Sequence, residues 1–157
     1  MKRHQLMHFV DTTMGSQTPK YCLLGDGIAS LSEEMNAETE NKQWINQANG
    51  TTSIKSYTPS FSIEREDCVD DDVRTWMKGI LDNLPTGKDA ETFVVRVDAS
   101  AEKQANGYPA IRRKFAVSAV STGGDAGGNV MDSVNFGGVG DAVKGSFNPE
   151  TLKFTEG

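Results

Sequence analysis

The sequence predicts a mainly β fold, an antiparallel β-sandwich or small barrel with one flanking α-helix and an extended hairpin arm. Three observations lead there. Several segments alternate apolar and polar residues with period two, the pattern of strands with one buried face. One segment alone carries the 3.6-residue period of an amphipathic helix. Nine of the 16 glycines fall at or after Gly123, between β-patterned stretches, where they read as hairpin punctuation. The 157 residues suffice for one domain, 1–157, with a core that needs no disulfide staples.

In chain order, residues 1–20 are polar and aperiodic and end in Gly15-Ser16-Gln17-Thr18-Pro19, which predicts a mobile N-terminal arm and a turn. Tyr21-Cys22-Leu23-Leu24 is a short strand closed by Gly25-Asp26-Gly27, with Ile28 to Leu31 as its continuation. The polar stretch that follows turns at Asn49-Gly50, a pair that tolerates positive φ, and gives an extended hairpin over 36–57. Tyr57, Phe61 and Ile63 then share a strand face with Pro59, whose missing N–H places it at a sheet edge or bulge.

A helix is expected over 70–84. Val73, Trp76, Met77, Ile80, Leu81 and Leu84 form a single apolar stripe that should face the β-layer. Asp70, Asp71 and Asp72 supply carboxylates for the free amides at its start, and Pro85 with Gly87 ends it. Strands return with Phe93, Val95 and Val97, then Ile111, Phe115, Val117 and Ala119 with Arg113 as the exception on that face. Val130, Val134 and Phe136 alternate next, then Val143 and Phe147, and Leu152 with Phe154 closes the chain as a short strand.

The composition argues against several function classes. With 16 basic and 22 acidic residues the net charge is −6, which repels a phosphate backbone; Arg112-Arg113-Lys114 is the one basic cluster. Two histidines, His4 and His8, both in the polar leader, make a histidine-based triad a poor expectation. Cys22 and Cys68 allow at most one disulfide and cannot form a four-cysteine zinc site; they read as reduced, partly buried thiols. The acids of 64–72 lack the spacing of a calcium loop, so no metal is expected. Gly123-Gly124-Asp125-Ala126-Gly127-Gly128 lies between strands rather than before a helix, so it reads as a hairpin tip and not as a phosphate cradle. No nucleophile has a recognisable base beside it, and neither catalytic residues nor a cofactor are expected. Met1-Lys2-Arg3 is followed by polar residues, and no apolar run reaches the ~18 residues of a membrane span, so the expectation is synthesis in the cytoplasm without an anchor.

The unusual feature is the arm. It places Trp44 and Ile45 in a long polar hairpin, where a monomer has little use for them and a subunit packing on its neighbour does. The arm's Glu38, Glu40, Lys42, Trp44, Ile45 and Tyr57, together with Arg112 and Lys114 on one strand face, are the candidate interface residues.

The same region carries a resemblance. Asn36-Ala37-Glu38-Thr39-Glu40-Asn41-Lys42-Gln43-Trp44-Ile45-Asn46, continued through Ser56-Tyr57-Thr58-Pro59-Ser60-Phe61-Ser62, resembles the tail tube (major tail) proteins of tailed bacteriophages and related prophages of Gram-positive bacteria. The match is dense over about 30 residues, and the order of strands and helix agrees over most of the rest. The resemblance implies a β-sandwich or barrel subunit of hexameric rings, stacked into a hollow tube through which DNA and tape-measure protein pass. It implies no catalytic residues. It also implies partners (the chain itself, tape-measure and tail-end proteins, DNA in transit) and a place in the virion tail after assembly in the host cytoplasm. A tube subunit of a contractile injection or secretion system and a monomeric β-sandwich binding module are the alternatives.

Overall fold

The computed structural model describes residues 1–67 and 70–157. Among these, nine strands and one α-helix follow in chain order: β1 (Leu6–Asp11), β2 (Tyr21–Leu23), β3 (Ala37–Lys42), β4 (Thr51–Tyr57), β5 (Ser60–Glu66), α1 (Asp72–Asn83), β6 (Glu91–Asp98), β7 (Tyr108–Gly123), β8 (Met131–Asn148) and β9 (Lys153–Glu156). The fold is mainly β, as the sequence predicts. Seven strands form one antiparallel, nearly closed barrel-like sheet in the order β2-β1-β6-β7-β8-β5, with β9 also on β8; β3 and β4 form a second, two-stranded sheet. The 18-residue β8 pairs β5 along its first part and β9 along its last four residues.

The curled sheet buries residues on both faces. On one face Val10, Val94, Phe115, Val134 and Phe136 pack with Phe61 and Ile63 under the helix residues Val73, Trp76, Met77 and Ile80. On the other, Phe9, Val95, Val97 and Phe147 pack with Tyr21, and Phe154 lies against them. Strands β1 and β6 supply both cores with alternate residues, so their sequences run apolar continuously instead of alternating.

Helix α1 starts where the aspartates predict. Asp71 is its N-cap and accepts the Arg74 N–H at 2.9 Å. Its end falls earlier than the 70–84 expectation: Leu84 is a left-handed cap at φ 47, outside the helix and 64 % exposed, because the chain must turn before Pro85. Leu81 is half-buried at the rim of the stripe. Truncation should therefore grade along the stripe. Ile80→Ala is expected to cost about 2–5 kcal/mol and Leu81→Ala about 1 kcal/mol, read from urea midpoints.

The expected mobile arm over 1–20 is corrected. Residues 6–11 form β1, inside the sheet between β2 and β6, and His8, Phe9, Val10 and Asp11 are all buried. Polar letters conceal this strand because their polar groups find partners. The His8 ring approaches Glu33 at 3.4 Å, and the Asp11 carboxylate accepts the N–H groups of Thr13 (2.9 Å), Gly15 (3.1 Å) and Lys20 (3.2 Å). The Asp11 side chain thus shapes the 12–20 loop. Asp11→Ala strips it of these acceptors and should cost about 2–3 kcal/mol in chemical denaturation.

Further differences have local causes. Tyr57 does not share a strand with Phe61 and Ile63: the chain breaks at Thr58-Pro59, leaving Tyr57 on the arm while the other two enter the core. Ile28 to Leu31 does not extend β2; Ile28 bridges to Arg65 and Leu31 is buried from a loop. Leu152 sits in the turn before β9 at φ 55. The 123–128 glycines do form the β7–β8 tip, closed by Gly128 N–H to the Asp125 carbonyl at 3.0 Å. Gly137, Gly138, Gly140 and Gly145 instead lie within β8. At Gly138 and Gly145 backbones approach closely; a Cβ on Gly138 would stand 2.7 Å from the Pro59 carbonyl oxygen. Cys22 is a free, half-buried thiol 3.9 Å from Thr12 Oγ1 whose pKa burial pushes up, and Cys68 lies outside the described residues.

Candidate functional site

The hairpin arm grows from a fixed root. Asn36 turns the chain at φ 52, and its side-chain amide donates to the Thr58 carbonyl at 3.0 Å and to Ser60 Oγ at 2.7 Å. Glu34 and Ser60 exchange a pair of backbone hydrogen bonds of 2.8 Å each beneath it. From this base β3 and β4 pair from Ala37↔Tyr57 to Lys42↔Thr51, with a bulge between Glu38 and Thr39. The tip spans 43–50 and is wider than the two-residue Asn49-Gly50 turn; Gln47 organises it, its N–H donating to the Trp44 carbonyl at 3.0 Å and its side chain accepting the Trp44 N–H at 3.1 Å.

On the arm, polar side chains satisfy one another and large apolar ones are left over. Lys42 and Lys55 both pair with Glu40, at 3.3 and 3.8 Å, and Ser56 donates to Glu38 at 3.3 Å. Trp44 (60 % exposed), Ile45, Ile54 and Tyr57 stand in water. Apart from the half-exposed Glu40, every residue of both strands is exposed. An isolated two-stranded hairpin is marginal in water, so contact with another surface would add to the order of these strands. The sequence places Glu38, Glu40, Lys42, Trp44, Ile45 and Tyr57 on this element, and the structure spreads them along it, from Tyr57 at the root to Trp44 and Ile45 at the tip.

Arg112 and Lys114 lie elsewhere, on β7, among groups of their own chain. The Arg112 guanidinium lies 4.9 Å from the ring centres of both Phe93 and Phe154, and the Lys114 ammonium lies 5.4 Å from Phe93 and 3.7 Å from Glu91. Their face of β7 turns toward aromatic residues of the same chain, a consequence of the β6–β7 register that sets Phe93 opposite Lys114.

Sequence reasoning missed a half-buried carboxylate at the other end of the sheet. Glu33 crosses from the 24–36 loop to His8 at 3.4 Å and Arg96 at 3.1 Å. Burial pushes its carboxyl upward, but the His8 hydrogen bond and the Arg96 charge outweigh this and hold it below the ordinary range. A depressed carboxylate stabilises the fold above its unfolded value, about 4.3, and that contribution is lost as pH falls through the lower folded value. Urea midpoints measured from about pH 6 down to about pH 3 should fall less for Glu33→Gln than for the parent chain. The only signal in the sequence is the acidic pair Glu33-Glu34 in a loop, which has no period to show which of the two turns inward.

Among the described residues, no group of three or more histidines, cysteines or acids is placed to hold a metal ion, and no helix is long and apolar enough to cross a membrane. No family model matches the chain, and no curated protein matches it. Solved structures do. A chain in the tail of an empty gene transfer agent particle, refined with C6 symmetry, is similar with a TM-score of 0.64 and 14 % identity, over 90 % of this chain and 96 % of that one. A chain in the virion of a native gene transfer agent particle gives 0.62 and 12 %, over 99 % and 98 %. A chain in the six-fold symmetrised baseplate of the anti-feeding prophage gives 0.53 and 12 %, over 93 % and 95 %. What these chains share with the present one is the barrel-like fold along nearly its whole length.

Proposed function

We propose that this chain is a structural, non-enzymatic subunit of a phage-like tail, which assembles into hexameric rings stacked as a hollow tube for DNA passage. The observation that carries the reading is the free hairpin arm, with Trp44, Ile45, Ile54 and Tyr57 exposed and their polar neighbours already paired. Likeness over nearly the full chain to components of two gene transfer agent particles supports a tail role, and the C6 symmetry of one supports six subunits per ring. In this reading the arm residues Glu38, Glu40, Lys42, Trp44, Ile45 and Tyr57 contact the neighbouring subunit. The further partners are tape-measure and tail-end proteins, with DNA only in transit. The subunit is a major tail protein of the Gram-positive phage type, made in the host cytoplasm and placed in the virion tail.

A second reading, a tube subunit of a contractile injection system, is favoured by the likeness to the anti-feeding prophage baseplate chain. Neighbouring genes separate the two: tape-measure and capsid genes support the first, injection-system genes without a capsid the second. Sedimentation across a concentration series, with negative-stain microscopy of the same samples, tests both. Rings or tubes are expected at high concentration or with tail-initiator proteins. A chain that stays monomeric under both conditions refutes both and leaves a binding module.

The lumen of such a tube should be acidic, because a lining of lysine and arginine would release counterions from DNA and act as a brake. The register places Ser62, Asn135 and Ser118 abreast on the exposed side of β5, β8 and β7, with Glu64 and Glu66 along the same row of β5. We assign the lumen wall to this side: apart from Lys114, which pairs with Glu91 at 3.7 Å, its side chains are small and polar with added acids, which leaves a water layer against a passing duplex. Assembled tubes should show no micromolar duplex binding at low salt. Binding that weakens steeply with salt would refute a sliding role for this wall.

A further inference from the structure

We infer that Arg113 and Lys144 form a receptor for an acidic side chain of a second copy of this chain, an inference that rests on the self-assembly proposed above. The register sets His8, Arg96, Ile111 and Lys144 abreast on four adjacent strands, with Arg113 two residues beyond Ile111 at the β7 bulge. The result is a row of basic groups across one sheet face in a chain whose net charge is −6.

Half of this row already holds a carboxylate. Glu33 lies against His8 and Arg96, which shows that the surface accepts an acid from a crossing segment. The other half has none. Arg113 Nη1 donates to the Gly140 backbone carbonyl at 3.2 Å, and among the described residues neither Arg113 nor Lys144 has an ion pair with an acid. Between Glu33, Arg96, Arg113 and Lys144 lies a cavity of about 150 Å3 floored by Ile111 and Phe115. At roughly 30 Å3 per water this is space for several waters, or for one carboxylate head with its last methylene. A half-buried guanidinium above an apolar floor gains most from an anion that excludes those waters.

Two features favour a second copy as the source of that anion. The chain carries 22 acids against 16 bases, so an identical neighbour presents an excess of the required charge. Met35, which lines the cavity, directly precedes Asn36 at the root of the arm, so the receptor is continuous with the surface proposed to meet a neighbour.

The test uses the full chain, assembled from a mixture of isotope-labelled and unlabelled protein and treated with a carbodiimide, which joins an amine to a carboxylate only in direct contact. Peptide mass spectrometry should find Lys144 joined to an Asp or Glu in mixed-isotope pairs. Lys144→Glu, a change at an exposed side chain, should raise the concentration needed for assembly at least about tenfold, and Lys144→Arg should restore it. Arg113→Glu should act in the same direction, with the melting curve of each variant monitored. Tubes in which Lys144 stays unlinked, or links only within its own chain, overturn this inference and leave the proposed function standing. So does a Lys144→Glu chain that melts and assembles as the parent does. A parent chain that never assembles overturns both.

Discussion

Trp44→Asp is expected to abolish assembly while leaving the melting of the monomer unchanged. Trp44 is 60 % exposed at the arm tip, next to the fully exposed Ile45, and its backbone is held by Gln47 and not by the barrel. Nothing in the folding of the subunit therefore depends on its indole. In an interface the same ring is a candidate anchor, since buried tryptophans rank among the residues whose loss costs 2 kcal/mol or more. A loss of about 2 kcal/mol raises the required concentration about 30-fold at a single contact, and a ring repeats the contact at every subunit. Sedimentation at matched concentrations reads the first effect and circular dichroism melting the second. Loss of the cooperative melt would show that Trp44 supports the fold, and the interface reading would fail.

Phe136→Ala should have the opposite signature, a large loss of stability in the isolated subunit. Phe136 is 1 % exposed and stacks on Phe61 with ring centres 4.3 Å apart, while Phe115 meets it edge-on at 6.2 Å and Trp76 lies at 6.0 Å. Its ring joins β5, β7, β8 and α1, so no single element can relax to fill the void. Truncating such a phenylalanine costs about 3–5 kcal/mol out of a usual total of about 5–15. For a chain of this size that lowers the melting temperature by about 6–20 °C, measured below the assembly concentration. A drop of only one or two degrees would mean that the four aromatics do not pack as a unit.

The two experiments divide the molecule as its sequence does. Where a segment's own letters set its environment, they could be read directly. The stripe from Val73 to Ile80 has a period, aspartates before it and a proline after it, so the helix and its buried side follow from local rules. The arm was legible for a related reason: polar strands with a tryptophan at the tip cannot bury themselves, whatever the rest of the chain does.

Beyond those segments the tertiary structure decided. Residues 6–11 look like a polar leader, yet they become an interior strand because Glu33 reaches His8 from another part of the chain, while the adjoining 12–20 loop folds back to supply donors for Asp11. Whether a polar residue is buried depends on a partner that its own segment does not contain, and no period records one. Nothing in the sequence around Arg112 shows that the β6–β7 register and the return of β9 set its guanidinium between Phe93 and Phe154. The basic row of Arg96, Arg113 and Lys144 is likewise scattered along the sequence and exists only because three strands align. The sequence by itself determined the β class, the one helix and the exposed arm, all consequences of local period and composition. Strand pairing, with the loops that cross the sheet, decided which distant polar and charged groups meet, because a hydrogen bond or ion pair between strands is a property of register and not of either strand.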